Sequence, residues 1–413
     1  MSLKICNIGC GGISNGCHGP SYVKYRRENP DFITAASCDL DAGRAAAFAK
    51  KFGFARHYTD YIEMLRVEKP DAVCVTVDEN HIAEVGLQVI NMGFPIFMEK
   101  PPGKNSDETR ALIDAATKKG VINQVGYNRR HMPILQKLRE LISVYGAAGG
   151  AVGGVAGNAA GGVVSGLANG AAGGVVSGLA SGAANSAAGG VASGKASGVA
   201  LDCLQHIRYD FYRVARYDED FSDTAVHGID AVRYLTGADY ARVNFTYQAL
   251  PQYGKNVMNI YMDCIMSTGV HALLSFCPVT GAVLERATVS AKDNTWVANT
   301  PIWAEGYDRP GELIHIYKNA AKAVYTTAEL IGGGGMGGGG VGPGGASGGG
   351  ASENVDGAVN DVYITNGFYN ENKAFFDCVR KGQKCGCDLE SALNTSLVKD
   401  CITNRRENFA LNG

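Results

Sequence analysis

The chain has 413 residues, with 38 lysine and arginine and 40 aspartate and glutamate side chains, which gives a formal net charge of -2. This length exceeds one ordinary hydrophobic core and predicts two domains. The nearly balanced charge argues against nucleic acid or an anionic membrane as a partner, so we expect a small-molecule ligand. No signal-peptide pattern precedes the first predicted strand, which favours the cytoplasm.

Twelve cysteines are spread along the chain without the spacing of a disulfide framework. The one close pair, Cys385 and Cys387, lacks the two-residue gap that lets both thiolates reach one metal ion, and no histidine cluster lies beside it. The sequence therefore predicts reduced, packed thiols and no metal site.

Residues 1–125 alternate short β-branched runs with longer amphipathic segments, which predicts a Rossmann-type α/β domain with a doubly wound parallel sheet. Residues 126–413 predict an α+β domain with a large, mainly antiparallel sheet and helices on one face, for substrate binding and dimerisation. The predicted strands are 4–9, 33–38, 72–77, 95–98, 122–126, 243–248, 259–266 and 270–276, and predicted helices include 42–52, 107–119, 366–381 and 389–404.

Two windows, residues 146–199 and 332–350, consist almost wholly of glycine, alanine and other small residues. Such side chains cannot fill a core, and they offer little surface for stacked repeats to bury. We expect neither window to belong to the functional site. We also hypothesise that they are not authentic sequence, an idea that peptide masses matching the printed residues would refute.

A glycine turn formed by Gly9, Gly11, Gly12 and Ile13 follows the first predicted strand and opens a helix. Its backbone amides can therefore approach a pyrophosphate at a positive helix terminus. Asp39 ends the next strand, where a ribose-binding carboxylate is expected. No arginine in that turn receives a 2′-phosphate, so NAD is favoured over NADP. A purely structural turn with a loop-capping Asp39 is the alternative interpretation.

Two later motifs carry candidate chemistry. The tripeptide Glu99-Lys100-Pro101 ends a strand at the carboxyl edge of the sheet, where open α/β sheets bind ligands. Asp223 and His227 are four residues apart on a predicted helix and share one face. With the glycine turn, these motifs make the sequence resemble the Gfo/Idh/MocA family, which includes inositol dehydrogenases and glucose-fructose oxidoreductase. The resemblance covers residues 1–143, about 205–330 and the terminal helices.

The resemblance implies an NAD-dependent oxidoreductase that transfers a hydride between the nicotinamide and a hydroxyl of a sugar, inositol or related polyol. It implies Lys100 as the active-site lysine, His227 as general acid/base and Asp223 as its partner, all three in contact with substrate. The residue types agree, because histidine titrates near neutral pH and a lysine cation stabilises a developing alkoxide. A buried structural histidine and a surface lysine are the alternatives.

Further positions follow from the same resemblance. Thr76, His81, Glu99, Lys100 and Asn128 are expected to contact the cofactor. For His81, a helix cap is the alternative interpretation.

Arg129 is expected to contact the substrate, and a solvated arginine pair is its alternative interpretation. His18 receives no role, because residues 14–20 are one residue longer than the family pattern. Phe211-Tyr212-Arg213 either points an aromatic ring and a guanidinium at a sugar or carboxylate, or forms a plain edge strand.

Two other functions fit the same motifs. One is an NAD-dependent, redox-assisted glycosidase, and the other is a non-catalytic NAD-binding sensor or regulator. Net release of NADH separates the first from a dehydrogenase, and retention of Lys100, Asp223 and His227 favours chemistry over sensing. A homodimer or homotetramer is expected, as in the family.

Overall fold

The computed structural model describes residues 2–147, 204–217, 221–302, 309–332 and 361–411. Apart from residues 146, 147 and 332, the two small-residue windows lie outside these ranges, as do the expectations that concern them. Within the described ranges, no helix combines the length and apolar character needed to cross a membrane.

The N-terminal part is a six-stranded sheet with strand order β3-β2-β1-β4-β5-β6, and every strand pair in it is parallel. This confirms the doubly wound prediction, and the five predicted strands agree to within two residues. Its elements are β1 (Leu3–Ile8), α1 (Gly19–Glu28), β2 (Phe32–Cys38), α2 (Ala42–Phe52), β3 (Arg56–Tyr58), α3 (Tyr61–Glu68), β4 (Ala72–Val75), α4 (Glu79–Asn91), β5 (Ile96–Glu99), α5 (Ser106–Lys119) and β6 (Asn123–Gly126).

Side-chain caps start the helices that follow the strands. Asp41, Asp60, Asp78 and Asn105 each accept a hydrogen bond from a backbone N–H in the first turn of α2, α3, α4 and α5. Such caps satisfy amides that have no intrahelical partner. They fix where each chain segment leaves the carboxyl edge of the sheet, and that edge carries the site.

The second sheet has nine strands in the order β14-β13-β12-β11-β7-β10-β9-β8-β15, and it is antiparallel except between β7 and β10. This confirms the predicted α+β part with a mainly antiparallel sheet. Its elements are α6 (Pro133–Ala147), β7 (Leu204–Tyr212), α7 (Ser222–Thr236), β8 (Tyr240–Ala249), β9 (Met258–Met266), β10 (His271–Cys277), β11 (Leu284–Ala291), β12 (Asn294–Asn299), β13 (Glu312–Tyr317), β14 (Ala320–Thr326), α8 (Thr327–Ile331), α9 (Val362–Thr365), α10 (Phe368–Lys381), α11 (Leu389–Thr403) and β15 (Asn408–Ala410).

The position of β7 excludes one of the two interpretations of residues 211–213. Strand β7 is not an edge strand, because it pairs with β11 on one side and β10 on the other. Phe211 is therefore fully buried in the core between this sheet and α7. The interior position of β7 gives Arg213, the first residue after the strand, a fixed place at the end of a central strand.

The terminal helix α10 packs back onto the first sheet. Phe375 and Phe376 of α10 lie in one apolar cluster with Tyr22, Tyr25 and Phe32 of the N-terminal part. Helix α10 thereby brings the side chains of Glu371 and Asn372 close to Glu99 and His18 at the carboxyl end of β5. The domain boundary predicted at residue 125 stays a prediction.

Candidate active site

A cavity of about 830 Å³ lies where the carboxyl edge of the first sheet faces α7 and the second sheet. Both parts of the chain contribute charged groups to it, as expected for a ligand site between two layers. The residues that line the cavity include Ile13, Glu79, Glu99, Lys100, Asn128, Arg129, Arg213, Thr224, His227 and Glu285.

The glycine turn follows β1 as predicted. Gly9 has φ +95°, and a Cβ atom there would lie 2.6 Å from the Thr76 carbonyl oxygen, so only glycine fits. Gly11 and Gly12 are exposed and border open space. Ile13 lines the cavity, and a π-helical turn, Ser14–His18, leads into α1. The turn therefore leaves backbone amides accessible at the start of a helix.

Thr76 and His81 do not line the cavity. The Thr76 hydroxyl is buried and lies 2.6 Å from the Ser14 hydroxyl and 2.8 Å from the Gly9 carbonyl oxygen. His81 is largely exposed, and its Nδ1 lies 3.0 Å from the Asp78 carboxylate that caps α4. Thr76 thus stabilises the glycine turn through its hydrogen bond to Gly9, and His81 contacts the capping residue of α4, Asp78. Cofactor contact by either side chain stays a prediction.

Asp39 lies at the end of β2, with its carboxylate held beside the glycine turn. It accepts hydrogen bonds from the backbone N–H of Cys10 (2.9 Å) and of Asp41 (3.0 Å). Arg44 also reaches it, with Nη2 2.8 Å from Oδ1. Burial alone would raise the pKa of Asp39, but the Asp41 amide and Arg44 hold this pKa below its ordinary value. An arginine is therefore present at this turn, contrary to the sequence-based argument, and it is paired with Asp39.

Glu99 sits at the centre of a buried hydrogen-bond chain. Its Oε1 lies 2.7 Å from His18 Nε2, and its Oε2 accepts the Lys100 backbone N–H at 3.0 Å. The Asn372 amide on α10 donates to His18 Nδ1 (3.0 Å) and to the Phe368 carbonyl oxygen. Because His18 Nδ1 accepts, Nε2 carries the proton and donates to Glu99.

His18, Glu99 and Glu371 place ligand-type atoms within 4.8 Å of one another. The Nε2 proton points at Glu99, so this nitrogen has no lone pair for a cation. Both Glu371 carboxyl oxygens are buried without a hydrogen-bond partner among the described residues. Burial and the nearby Glu99 charge raise the pKa of Glu371 well above its ordinary value, so this carboxyl keeps its proton to higher pH than an exposed glutamate does. The sequence reading missed His18 and Glu371, because chain pattern cannot show a contact across 354 residues such as that between His18 and Asn372.

Lys100 reaches across the cavity from the end of β5. Its Nζ donates a 3.0 Å hydrogen bond to the Asp223 carbonyl oxygen in the first turn of α7. Burial lowers the pKa of the Lys100 ammonium, while Glu99 opposes this shift. The structure thus brings Lys100 to His227, which lines the same cavity one turn further along α7.

His227 is surrounded by cations. Its Nδ1 is buried and has no hydrogen-bond partner among the described residues. Burial, with Arg129, Lys100 and Arg213 nearby, lowers the pKa of His227 well below its ordinary value. The imidazole is therefore neutral at physiological pH and available to accept a proton.

Asp223 does not line the cavity, and no hydrogen bond joins it to His227 within the described part of the chain. Its carboxylate lies 2.9 Å from Lys399 Nζ of α11. The predicted pairing of Asp223 with His227 thus rests only on their spacing. The Asp223 backbone carbonyl, rather than its side chain, contacts Lys100.

Glu79, which sequence reasoning missed, is half-buried on the cavity wall. Burial and the neighbouring Asp223 carboxyl raise the pKa of Glu79 to about 7. The only signal in the sequence was its position directly after Asp78, where the chain leaves β4. A carboxyl group that titrates near neutral pH beside Lys100 can exchange a proton during catalysis.

Asn128 and Arg129 line the cavity from the segment after β6. The Asn128 amide donates to the Asn366 carbonyl oxygen (2.8 Å), and its oxygen accepts from Arg129 Nη1 (3.0 Å). Arg129 also binds both oxygens of Glu285 on β11, at 3.1 Å each. Arg129 is thus not a solvated surface arginine but part of a buried ion pair.

Comparison with known proteins finds a family match for the first sheet and a fold match for the whole chain. Residues 3–127 match the GFO_IDH_MocA family, described as an oxidoreductase family with an NAD-binding Rossmann fold. The chain is 27% identical over 135 residues, 33% of this chain and 41% of the relative, to Oxidoreductase P35 of Formosa agariphila. It is 29% identical over 145 residues, 34% of this chain and 42% of the relative, to inositol 2-dehydrogenase of Salmonella typhimurium. These matches span about two fifths of the length of the relatives.

The fold similarity extends over nearly the whole chain. A structure of levoglucosan dehydrogenase in complex with NADH superposes with a TM-score of 0.65 at 15% identity, covering 98% of this chain and 96% of that one. At this identity the likeness concerns the fold, and it includes the second sheet that the family match at residues 3–127 does not reach. Residues 3–127 thus match the NAD-binding Rossmann domain of the Gfo/Idh/MocA oxidoreductase family.

Proposed function

We propose that this protein is an NAD-dependent dehydrogenase that transfers a hydride between the nicotinamide and a hydroxyl group of a sugar, inositol or related polyol. The observation that carries the proposal is the convergence of Lys100 and His227 on one cavity at the carboxyl edge of the NAD-binding sheet. The names of the matched relatives, inositol 2-dehydrogenase and levoglucosan dehydrogenase, support this substrate class.

The residues around the glycine turn fit the dinucleotide. The turn is closed by Gly9, and the exposed Gly11 and Gly12 leave open space above it. Their amides would hold the pyrophosphate, Asp39 would bind the adenosine ribose, and Glu99, Lys100 and Asn128 would border the nicotinamide half. When bound, NAD supplies the hydride acceptor, or NADH the donor.

The residues of the chain would manage the proton and the developing charge. Neutral His227 would take the hydroxyl proton, and we assign Nε2 as the acceptor because Nδ1 is buried. The Lys100 ammonium would donate a hydrogen bond to the same oxygen and stabilise its negative charge. Glu79, with a pKa of about 7, would then exchange the proton with solvent.

A panel of polyols and sugars incubated with NAD tests the proposal, with reduced nicotinamide followed by absorbance. We expect NADH to accumulate with at least one panel member. His227→Asn should reduce kcat by about 10²-fold to 10⁴-fold, the usual contribution of general acid–base catalysis. His271→Asn is a matched control, because His271 pairs with Asp263 on the exposed part of the second sheet. NADH affinity should change little in either variant.

Other outcomes would contradict the proposal. Glycoside cleavage without net NADH would assign a redox-assisted hydrolase. Tight NAD binding without turnover of any panel member would assign a sensor. Full activity of His227→Asn would remove this histidine from the chemistry.

A further inference from the structure

We propose that the substrate carries a carboxylate group, and that Arg213, supported by Arg129 and Glu285, forms the subsite that binds it. The inference rests on the proposed dehydrogenase function and narrows its substrate class to hydroxy acids of the sugar or polyol type. The subsite lies on the wall of the cavity that the second sheet contributes.

The subsite is built around one buried carboxylate. Glu285 accepts both hydrogen bonds from Arg129, a 2.8 Å hydrogen bond from Arg213 Nη2 and a 2.6 Å hydrogen bond from the Tyr209 hydroxyl. The side chains of Arg129, Arg213 and Glu285 are only 13%, 14% and 4% exposed. Burial would raise the pKa of Glu285, but the two arginines lower it to about 2, so the carboxylate is ionised.

The arginines leave an uncompensated charge at this wall. Two guanidinium groups face one carboxylate, so the cluster of Arg129, Arg213 and Glu285 carries a net charge of +1. Neither nearby lysine is neutralised by Glu285. The Lys100 ammonium interacts with the Glu99 charge, and Lys399 is paired with Asp223. A buried excess charge is costly unless an opposite charge meets it. An anionic group of the ligand would supply that charge.

Arg213 has more free donor capacity than Arg129 within the described part of the chain. Arg129 uses three of its five N–H donors, with Nε and Nη2 bonded to Glu285 and Nη1 bonded to Asn128. Arg213 spends Nη2 on Glu285 and Nη1 on the Tyr212 carbonyl oxygen, while its Nε–H has no hydrogen bond among the described residues. Its guanidinium lies 3.7 Å from the centre of the Phe211 ring, which fixes the plane of the donors.

The charge balance favours a carboxylate over a phosphate monoester. A carboxylate brings a single negative charge, which neutralises the cluster. A phosphate monoester brings close to two at neutral pH and would leave a buried negative excess. A planar carboxylate also suits the fixed plane of an arginine.

The subsite would also affect the chemistry. Arg129 and Arg213 are among the cations that weaken His227 as a base. A bound carboxylate would offset their field and raise the proton affinity of the imidazole in the substrate complex. Substrates with the acid group would therefore gain in kcat as well as in binding.

The test compares D-glucuronate and D-galacturonate with the neutral hexoses of the same ring configuration, D-glucose and D-galactose. We measure kcat/KM with NAD, and we measure binding by titration calorimetry to the wild-type protein saturated with NADH. We expect the uronate of the better configuration to exceed its hexose by about 10-fold or more in both, as a charge-assisted pair implies.

Variants on β7 and just beyond it locate the effect. Arg213→Gln should lower the ratio of kcat/KM for the uronate to kcat/KM for the hexose by about 10-fold or more, and Arg213→Lys should restore part of this ratio. Arg208→Gln is the matched control, because Arg208 pairs with Asp210 on the opposite face of the same strand. It should behave as the wild type.

The outcomes separate the two proposals. Equal use of hexose and uronate by the wild type, or failure of both uronates to bind, overturns the carboxylate subsite. Uronate binding that depends on Arg213, with no NADH production from the uronates or from any polyol or sugar of the panel, supports the subsite and refutes the dehydrogenase function. If Arg213→Gln misfolds, calorimetry on the wild-type protein still tests the inference, because absence of uronate binding there would refute it.

Discussion

Lys100 Nζ lies 3.0 Å from the backbone carbonyl oxygen of Asp223, a residue 123 positions further along the chain. This hydrogen bond ties the end of β5 in the first sheet to the first turn of α7 against the second sheet. His227 lies one helical turn beyond Asp223, so the contact sets the separation of the two proposed catalytic groups. Four predictions follow from this arrangement and its surroundings.

Removing the Lys100 charge should reduce catalysis more than cofactor binding. Lys100→Met is expected to lower kcat by about 10²-fold to 10³-fold, the loss typical for one electrostatic contact to a developing oxyanion. Steady-state kinetics and NADH titration measure the two effects separately. Lys104→Met is the control, because the Lys104 side chain is exposed outside the cavity. Equal losses of kcat in both variants would contradict the assigned role.

Asp39 should determine which nicotinamide cofactor is used. Asp39→Ala removes the carboxylate that would bind the ribose and repel a 2′-phosphate, and it frees Arg44 to meet that phosphate. The ratio of kcat/KM for NADP to that for NAD should rise by about 10-fold or more.

Asp41→Ala provides the control for this change. It removes the cap of α2 and should cost about 1 kcal/mol of stability, without altering the cofactor ratio. An unchanged ratio in Asp39→Ala would show that Asp39 does not contact the ribose.

The same substitution should have different consequences at two buried carboxyls. The pKa of Glu371 lies well above its ordinary value, so Glu371→Gln preserves both its charge and its shape at pH 5, and we expect the free energy of unfolding at that pH to stay within about 1 kcal/mol. Glu99 is different, because the bond from His18 and the Lys100 charge hold its pKa below the ordinary value despite burial. Glu99→Gln should cost about 2 kcal/mol.

The free energy of unfolding of wild type, compared with that of Glu371→Gln, should change with pH in one direction. The raised pKa of folded Glu371 means that the folded state holds a proton that the unfolded chain releases above pH 4.5. Wild-type stability therefore falls relative to Glu371→Gln as pH rises above this value. Urea denaturation at pH 5 and pH 8 measures the difference. A variant that is destabilised more at pH 8 than at pH 5 would show that Glu371 is ionised.

Glu79 should make stability and rate depend on pH near neutrality. Its pKa is about 7 in the folded protein against 4.5 in the unfolded chain, so wild type loses stability between these values as pH rises. The melting temperature of Glu79→Gln relative to wild type should therefore be higher at pH 8 than at pH 5. The same variant should lose the part of the kcat profile that titrates near pH 7. A pH-independent difference in melting temperature would contradict the raised pKa.

Most of the fold could be read from sequence, because local patterns determine it. The alternation of apolar strands with amphipathic helices predicted the parallel sheet, and α2 begins and ends where its periodicity indicated. The short strand β3 was missed, since its residues Arg56, His57 and Tyr58 are not buried and carry no apolar signal. The same limit left an edge strand open as an interpretation of residues 211–213, because strand order depends on pairing between distant segments.

The glycine turn, the Glu99-Lys100-Pro101 motif and the spacing of Asp223 and His227 were visible in the sequence, because backbone conformation and helix periodicity are local properties. Only the tertiary structure decided their partners. It buried His18 against Glu99, gave Glu285 two arginines, and turned the Asp223 carboxylate toward Lys399. Charge and protonation depend on burial and on neighbours far apart in the chain, and these exist only once the two sheets and the terminal helices have packed together.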